Sequence, residues 1–263
     1  MPLKLLVGFL FAFLIAYTAY RAHSLRKSGA WGALLEGTII FGLGGWKWAV
    51  LLLAFFISSS LLTKLFNKKK TSLNEKFDKG GVRDIGQVLA NGSIASMFAG
   101  LHFFFPASTW TWVAFAATLA AVNSDTWATE LGVLNPSMPR LITSGKPVER
   151  GTSGAVSLYG MLAATAGALF IGAPGALLGP SSQGWINLGI IIIAGISGSL
   201  FDSLLGSTVQ AIYRCPHCDK ETEKHPLHGC GTETVQIRGW SWLNNDKVNL
   251  GCALMGALIG LIL

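Results

Sequence analysis

The sequence predicts an all-α protein, a polytopic bundle of about eight transmembrane helices (six to eight) in a single membrane domain covering residues 1–263. Three observations favour this fold class. Hydrophobic residues make up 51% of the chain and charged residues only 13%, whereas soluble domains carry about 25% charged residues. Several apolar runs approach the roughly 20 residues that a spanning helix needs. The 32 glycines suit close approach of helices in a bilayer.

The apolar runs assign the spans in order. They cover residues 3–20, 30–44, 46–63, 87–105, 108–129, 155–178, 185–206 and 248–263. The first run is interpreted as a retained helix, because no small-residue cleavage site follows it and further spans do. The second run is short, so a re-entrant segment is the alternative there.

The basic residues predict the orientation. Of the 20 lysines and arginines, 18 fall in four loops on one side, which are residues 21–29, 64–86, 130–154 and 207–247. The positive-inside rule then puts these loops in the cytosol and both termini outside, in a bacterial-type plasma membrane or its equivalent. The net charge of +7 is explained in this way, so we expect no nucleic-acid partner. Lys68–Lys70 is interpreted as a topology and headgroup patch.

Acidic residues at the cytosolic ends of the spans are the first candidate site. Asp125 and Asp202 lie near the ends of the fifth and seventh runs, where charged groups are costly and often functional. With Glu130 and Asp246 they supply the oxygen ligands that Mg²⁺ prefers, held jointly with a nucleotide. The alternatives are that Asp125 caps or cross-links helices, that Glu130 is solvated, that the Asp202 stretch serves helix packing through glycine and serine, and that Asp246 caps the last helix.

A glycine-rich segment before the sixth run is the second candidate. Gly151, Thr152, Ser153 and Gly154 can present backbone N–H groups at a helix start, which binds anions. Lys146 and Arg150 would add positive charge toward phosphate oxygens. The lysine precedes the glycines, unlike a P-loop. The alternative is a flexible loop with a Ser or Thr helix cap.

Polar residues around the fourth and eighth spans are weaker signals. Arg83 precedes a helix start, with Asp84 as a possible cap. Gln87 and Asn91 share one helix face, where they either hold helices together or line a substrate cavity. Asn245 either helps to cap the last helix or supplies oxygens to the same phosphate-binding site.

The cysteine spacing predicts a small metal site. Cys215 and Cys218 form a C-x-x-C half-site that His228 and Cys230 can complete as a tetrahedral Cys₃His structural zinc site. Residues 215–230 would then be a small zinc-binding cytosolic loop insertion. His217 and His225 are possible substitutes for His228, and a free redox pair is the alternative.

Several of these motifs together resemble a known family. The stretches are residues 86–92, 124–132, 151–158, 202–206 and 244–249. They resemble an integral membrane family, formerly of unknown function, that includes transmembrane protein 19 and the phytyl phosphate kinases of plants and cyanobacteria. The likeness covers about residues 24–263. More distantly, residues 125–132 with Lys146 and the glycine-rich segment look like the polyprenol kinase and CDP-diacylglycerol synthase group.

The resemblance implies transfer of phosphate from a nucleoside triphosphate, preferably CTP, to an isoprenoid monophosphate in the membrane, giving the diphosphate. On this hypothesis Asp125 and Asp202 hold Mg²⁺ with the nucleotide. Lys146, Arg150 and residues 151–154 bind its phosphates, and Arg83 neutralises the acceptor phosphate. The alternatives are a membrane transporter or carrier of a lipid or small solute, and a CTP-dependent cytidylyltransferase acting on a phospholipid. The oligomeric state is left open.

Overall fold

The predicted helical bundle is confirmed by a computed structural model that describes residues 2–66, 81–179 and 184–263. The predicted lysine patch at 68–70 lies outside the described residues. Eight helices lie within them: α1 (Pro2–Arg21), α2 (Lys27–Ile39), α3 (Trp46–Phe66), α4 (Ile85–Phe104), α5 (Trp110–Gly132), α6 (Leu158–Leu178), α7 (Gly184–Thr208) and α8 (Asn245–Ile262).

Four of the described helices, α1, α3, α6 and α7, are long and apolar enough by themselves to cross a membrane. The short α2 continues into a π-helical turn at Ile40–Gly44, so the apolar run predicted at 30–44 is helical to its end. Gly45 then breaks the helix with a φ of +90°, a left-handed value that favours glycine. This break separates α2 from α3 where the sequence predicts it.

Helix α5 occupies the centre of the bundle. Every residue from Thr111 to Ser124 is buried, and the helix packs against α3, α4, α6, α7 and α8. A helix that is apolar on all sides is expected to be surrounded in this way. Small residues allow the close packing, since a Cβ at Gly198 of α7 or at Gly256 of α8 would collide with Ala121 of α5.

Short strands form in the polar connections, where the sequence predicts loops. Strand β1 (Arg140–Leu141) pairs antiparallel with β2 (Ala155–Val156). Strands β3 (Ile212–Cys215), β4 (Lys220–Thr222) and β5 (Val235–Arg238) form an antiparallel sheet in the order β4-β3-β5. They have at most four residues each, which is too short to give an alternating hydrophobic pattern.

The helices alternate in direction, so the long connections meet at one end of the bundle. There the backbone N–H of Arg83 donates to the carbonyl of Ser24 at 3.1 Å, and the Lys64 ammonium donates to the carbonyl of Ala22 at 2.7 Å. We call this the polar end. It corresponds to the loops predicted to be cytosolic, and the side of the membrane that it faces stays a prediction.

We expect Gly198→Ala to lower the melting temperature of the detergent-solubilised protein, because the added methyl group would overlap Ala121 and separate α7 from α5. Overpacking of this kind typically costs about 1–3 kcal/mol. Gly189→Ala on the same helix is the matched control, since no atom lies within 4 Å of its new Cβ. Equal melting temperatures for the two variants would contradict the close contact of α5 and α7.

Candidate functional site at the polar end of the bundle

A cavity of about 300 Å³ opens at the polar end, among the ends of α4, α5, α6, α7 and α8. It brings together the residues predicted to bind Mg²⁺ or phosphate, with the exception of Lys146. Those that line it are Arg83, Asn91, Asp125, Glu130, Arg150, Gly151, Thr152, Ser153, Gly154, Asp202, Asn245 and Asp246. Residues that are 163 positions apart in sequence thus share one polar space, as the resemblance implies.

The two half-buried aspartates converge in this cavity from α5 and α7. Ser199, on α7, donates a hydrogen bond to Oδ1 of Asp125 at 3.5 Å. Oδ2 of Asp202 is buried and has no hydrogen-bond partner among the described residues. Asp125 and Glu223 both act electrostatically on Asp202. Three carboxylates this close repel one another when ionised, and a bound cation would relieve that repulsion.

The glycine-rich segment forms a folded loop along one wall of the cavity. Gly151 and Gly154 have φ values of +79° and +82°, and a Cβ at Gly154 would collide with Ser207 at the end of α7. The segment leads to Ser157, whose side chain caps α6 by accepting from the backbone N–H of Gly160 at 3.1 Å. Within the loop the backbone N–H of Thr152 donates to the carbonyl of Glu149 at 3.2 Å and that of Ala155 to the carbonyl of Thr152 at 3.1 Å. An anion at this wall would therefore use the other backbone N–H groups of the loop.

Glu223 is a cavity residue that the sequence analysis missed. Its Oε1 accepts a hydrogen bond from the Ser153 hydroxyl at 2.7 Å and another from Nε2 of Gln210 at 2.9 Å. It therefore joins the segment after β4 to the glycine-rich loop. Nothing in its local sequence distinguishes it from a solvated glutamate, because its position depends on how the β3–β4 hairpin folds over the cavity.

Arg83, just before α4, also lines the cavity. Its guanidinium packs over the rings of Phe55 and Phe56, at 5.6 and 5.8 Å from their centroids, and it interacts electrostatically with Glu130. Oε1 of Glu130 accepts from the Thr63 hydroxyl at 2.9 Å. Glu130, which the sequence predicts as a metal ligand, therefore lines the cavity, is hydrogen-bonded to α3 and lies near the Arg83 guanidinium.

The start of α4 is fixed by a capping box. Asp84 accepts from the backbone N–H of Gln87 at 3.0 Å, and the Gln87 side chain accepts from the backbone N–H of Asp84 at 3.2 Å. Asn91 donates to the carbonyl of Gln87 at 2.6 Å. The cap predicted at Asp84 is therefore present, and both amides line the cavity.

The start of α8 faces the same cavity. Asn244 caps the helix, since its side chain accepts from the backbone N–H of Lys247 at 3.3 Å. Asn245 and Asp246, in the first turn, line the cavity. The asparagine-rich stretch 244–249 therefore does both: Asn244 caps α8, and Asn245 and Asp246 line the cavity.

The two predicted basic ligands of the loop are separated by the structure. Arg150 lines the cavity, and its Nη2 donates to the carbonyl of Pro136 at 2.9 Å. Lys146 is exposed on the connection between β1 and β2, and it does not line the cavity. Its predicted role at the nucleotide phosphates stays a prediction that this arrangement does not favour.

The cysteine cluster forms beside the cavity. Ligand atoms of Cys215, Cys218, His228 and Cys230 all lie within 4.8 Å of one another. Hydrogen bonds with Thr232 and His228 lower the pKa of Cys230 to about 5, and the hydrogen bond with Cys230 is the main reason why the pKa of Cys218 rises to about 11. A metal binds cysteine as the thiolate, so binding at this cluster would release the remaining thiol protons.

A second cavity, of about 270 Å³, lies between α1, α2, α3 and α4 and is lined mainly by apolar side chains. Arg83, Gln87 and Asn91 line both cavities, so they form a shared wall. The apolar cavity also contains Glu36, which is 5% exposed and whose Oε1 has no hydrogen-bond partner among the described residues. Glu36 lies inside the apolar run predicted at 30–44. A charged residue type in such a run indicates a possible functional site, and this signal was missed in the sequence.

The fold and these cavities define an integral membrane protein with a polar cavity, lined by carboxylates and a glycine-rich loop, at one end of a helical bundle. The chain belongs to the DUF92 family of integral membrane proteins, whose sequence model matches residues 10–257. This membership confirms the resemblance drawn from the sequence motifs.

Similar proteins occur in Arabidopsis thaliana, Methanocaldococcus jannaschii and a Synechocystis species. Protein PGR of Arabidopsis thaliana is 32% identical, over 97% of this chain and 94% of its own length. An uncharacterized membrane protein of Methanocaldococcus jannaschii is 31% identical, over 99% of this chain and 94% of its own length. Protein VTE6, chloroplastic, of Arabidopsis thaliana is 25% identical, over 91% of this chain and 65% of its own length. No solved structure matches the chain.

Proposed function

We propose that the protein is a prenyl-phosphate kinase. It transfers the terminal phosphoryl group of a nucleoside triphosphate, preferably CTP, to an isoprenoid monophosphate and yields the diphosphate. The observation that carries this proposal is the shared wall. A cavity with acidic residues and a glycine-rich loop adjoins an apolar cavity between membrane helices, which suits an acceptor with a phosphate head and a hydrocarbon tail.

The acidic residues fit Mg²⁺, because Asp202 keeps a buried carboxylate oxygen without a hydrogen-bond partner in the described part of the chain. Asp125 and Asp202 would hold the ion, with Asp246 and its neighbour Asn245 contributing from α8. When bound, Mg²⁺ neutralises charge on the nucleotide phosphates. Glu130 contributes less directly in this proposal, since its carboxylate is engaged with Thr63 and lies beside Arg83.

The glycine-rich loop would bind the nucleotide phosphates through its backbone, with Arg150 adding positive charge. Arg83 and Asn91, which line both cavities, would hold the acceptor phosphate. An acceptor oxygen then attacks the terminal phosphorus, the bond from that phosphorus to the bridging oxygen breaks, and the nucleoside diphosphate leaves. The acceptor is already an anion, so the reaction needs positioning and charge neutralisation and no strong general base.

The family resemblance supports this activity over others, because it includes the phytyl phosphate kinases. We also propose that the polar end faces the cytosol, since 18 of the 20 lysines and arginines fall in the four loops that the sequence predicts on that side of the membrane. Nucleotides would reach the cavity directly from that side. A cytidylyltransferase that acts on a phospholipid could use the same cavity, and its product would be a CDP-lipid.

A transporter or carrier is the second candidate, and Glu36 is the observation that favours it. An unpartnered carboxyl group buried among membrane helices is characteristic of ion-coupled pathways. The kinase proposal assigns Glu36 no chemical role. The two candidates therefore differ in what they expect from the same substitution.

We expect Asp125→Asn and Asp202→Asn each to lower kcat/KM for prenyl diphosphate formation by about 100-fold or more, because loss of electrostatic stabilisation at a transferring group commonly costs two to three orders of magnitude. The assay uses purified protein, labelled CTP or ATP, Mg²⁺ and phytyl or geranylgeranyl monophosphate. Asp219→Asn, an exposed carboxylate of the β3–β4 turn, is the control and should retain activity. No transfer by the folded wild-type protein would reject the kinase proposal, and a CDP-lipid product would select the cytidylyltransferase.

We expect Ala49→Phe to raise KM at least about tenfold for a 20-carbon prenyl phosphate but to change KM little for a 5-carbon one, because the ring would occupy the apolar cavity. A tenfold change corresponds to about 1.4 kcal/mol of binding. Ile57→Phe, on the exposed face of the same helix, should leave both values unchanged. Equal effects on long and short acceptors would mean that the tail lies elsewhere.

We expect Glu36→Gln to retain phosphoryl transfer within about threefold of wild type, because Glu36 does not line the polar cavity and glutamine has nearly the same size and adds no buried charge. The same variant reconstituted in vesicles separates the candidates. Ion-coupled solute uptake by wild type that is abolished in Glu36→Gln, without any kinase activity, would replace the kinase proposal with transport.

A further inference from the structure

Four potential metal ligands converge where the β3–β4 hairpin meets the turn at residues 228–231. Cys215 ends β3, Cys218 lies in the hairpin turn, and His228 and Cys230 belong to the following turn, which is closed by a hydrogen bond from the backbone N–H of Gly231 to the carbonyl of His228 at 2.9 Å. Their ligand atoms lie within 4.8 Å of one another. Cys215 and His228 are buried in this small module.

The distances fit a metal better than a disulfide. The sulfur atoms of Cys215 and Cys230 are 3.5 Å apart, and Nδ1 of His228 is 3.3 Å from the sulfur of Cys230. A disulfide requires about 2.05 Å between sulfurs. With Zn–S bonds of about 2.3 Å, the sulfur atoms of a tetrahedral site are about 3.8 Å apart. The cluster is therefore close to the spacing of a zinc shell.

We infer that Cys215, Cys218, His228 and Cys230 bind one structural Zn²⁺ that fastens the β3–β4 hairpin over the polar cavity. Three thiolates and one imidazole nitrogen complete a tetrahedral shell, so the ion has a structural role and no position for a substrate. His228 would bind through Nδ1, the ring nitrogen that faces Cys230.

A metal bound at this cluster would also affect the glycine-rich loop, because the β3–β4 hairpin is hydrogen-bonded to that loop. Glu223 directly follows β4 and accepts the Ser153 hydroxyl at 2.7 Å. The other edge of the same sheet is anchored on α7, because Arg238 of β5 donates to the carbonyls of Gly206 and Ser207, both at 3.0 Å. A hairpin fixed at both ends would keep Ser153 in place, whereas a loose hairpin would release it.

The test measures metal content and local exchange on the full-length protein in detergent. We expect about one zinc per chain by elemental analysis, lost in Cys218→Ser and retained in His228→Cys, which leaves four sulfur ligands. Cys252→Ser is the control, because that cysteine is buried in α8 outside the cluster, and it should keep its zinc. Should Cys218→Ser fail to fold, a zinc-selective chelator applied to wild type gives the same comparison.

Hydrogen–deuterium exchange tests the coupling without relying on activity. Loss of zinc should raise exchange at least about fivefold in residues 212–223 and also in residues 149–155. Ser153→Ala should raise exchange only in residues 149–155 while the zinc stays bound. A folded wild-type chain that binds no zinc even when the metal is supplied, or that forms a disulfide between Cys215 and Cys230, would overturn the site. Zinc loss that leaves residues 149–155 unchanged would overturn the coupling.

Discussion

The burial of α5 on all sides is the constraint on which the rest of the structure depends. From Thr111 to Ser124 the helix has no face left for lipid or water, and its neighbours approach closely because alanine and glycine form the contacts. The first charged residue of the helix, Asp125, comes directly after this stretch, where the packed core ends and the polar cavity begins. The position of the carboxylate along the bundle is therefore set by helix packing before any ligand is considered.

A polar layer marks the boundary between that core and the cavity. Asn123 donates to the carbonyl of Gly167 at 2.8 Å and accepts from the Ser58 hydroxyl at 3.1 Å, and Nε1 of Trp127 donates to the same hydroxyl at 3.3 Å. These bonds tie α3, α5 and α6 together directly beneath the site. Hydrogen bonds of this kind are costly to break where water is scarce, so they hold the cavity floor in one arrangement.

Much of the architecture could be predicted from the sequence, because long apolar runs and charge asymmetry depend on local composition. Asp125 and Asp202 could be predicted as site residues, because a charged group at the end of an apolar run is energetically unfavourable unless it has a function. The cap at Asp84 could also be predicted, because it depends on residues next to it in the sequence. Glu223 could not be predicted, since its place depends on strands of three and four residues that pair across a turn. The exposed position of Lys146 could not be predicted either, because it depends on the pairing of the two-residue strands β1 and β2. The second cavity is a space between four helices, and no sequence pattern encodes it.

The shared wall of Arg83, Gln87 and Asn91 has a consequence for kinetics if the proposed acceptor is correct. An amphiphile that enters the apolar cavity from between helices never leaves the bilayer, so its capture is a two-dimensional encounter. The rate would then follow the mole fraction of acceptor among the surrounding lipids and fall when inert lipid is added at constant total acceptor. The rate would depend on the bulk concentration of the water-soluble donor in the usual way. The two substrates would therefore be measured in different units, one as a mole fraction in the membrane and the other as a concentration in water.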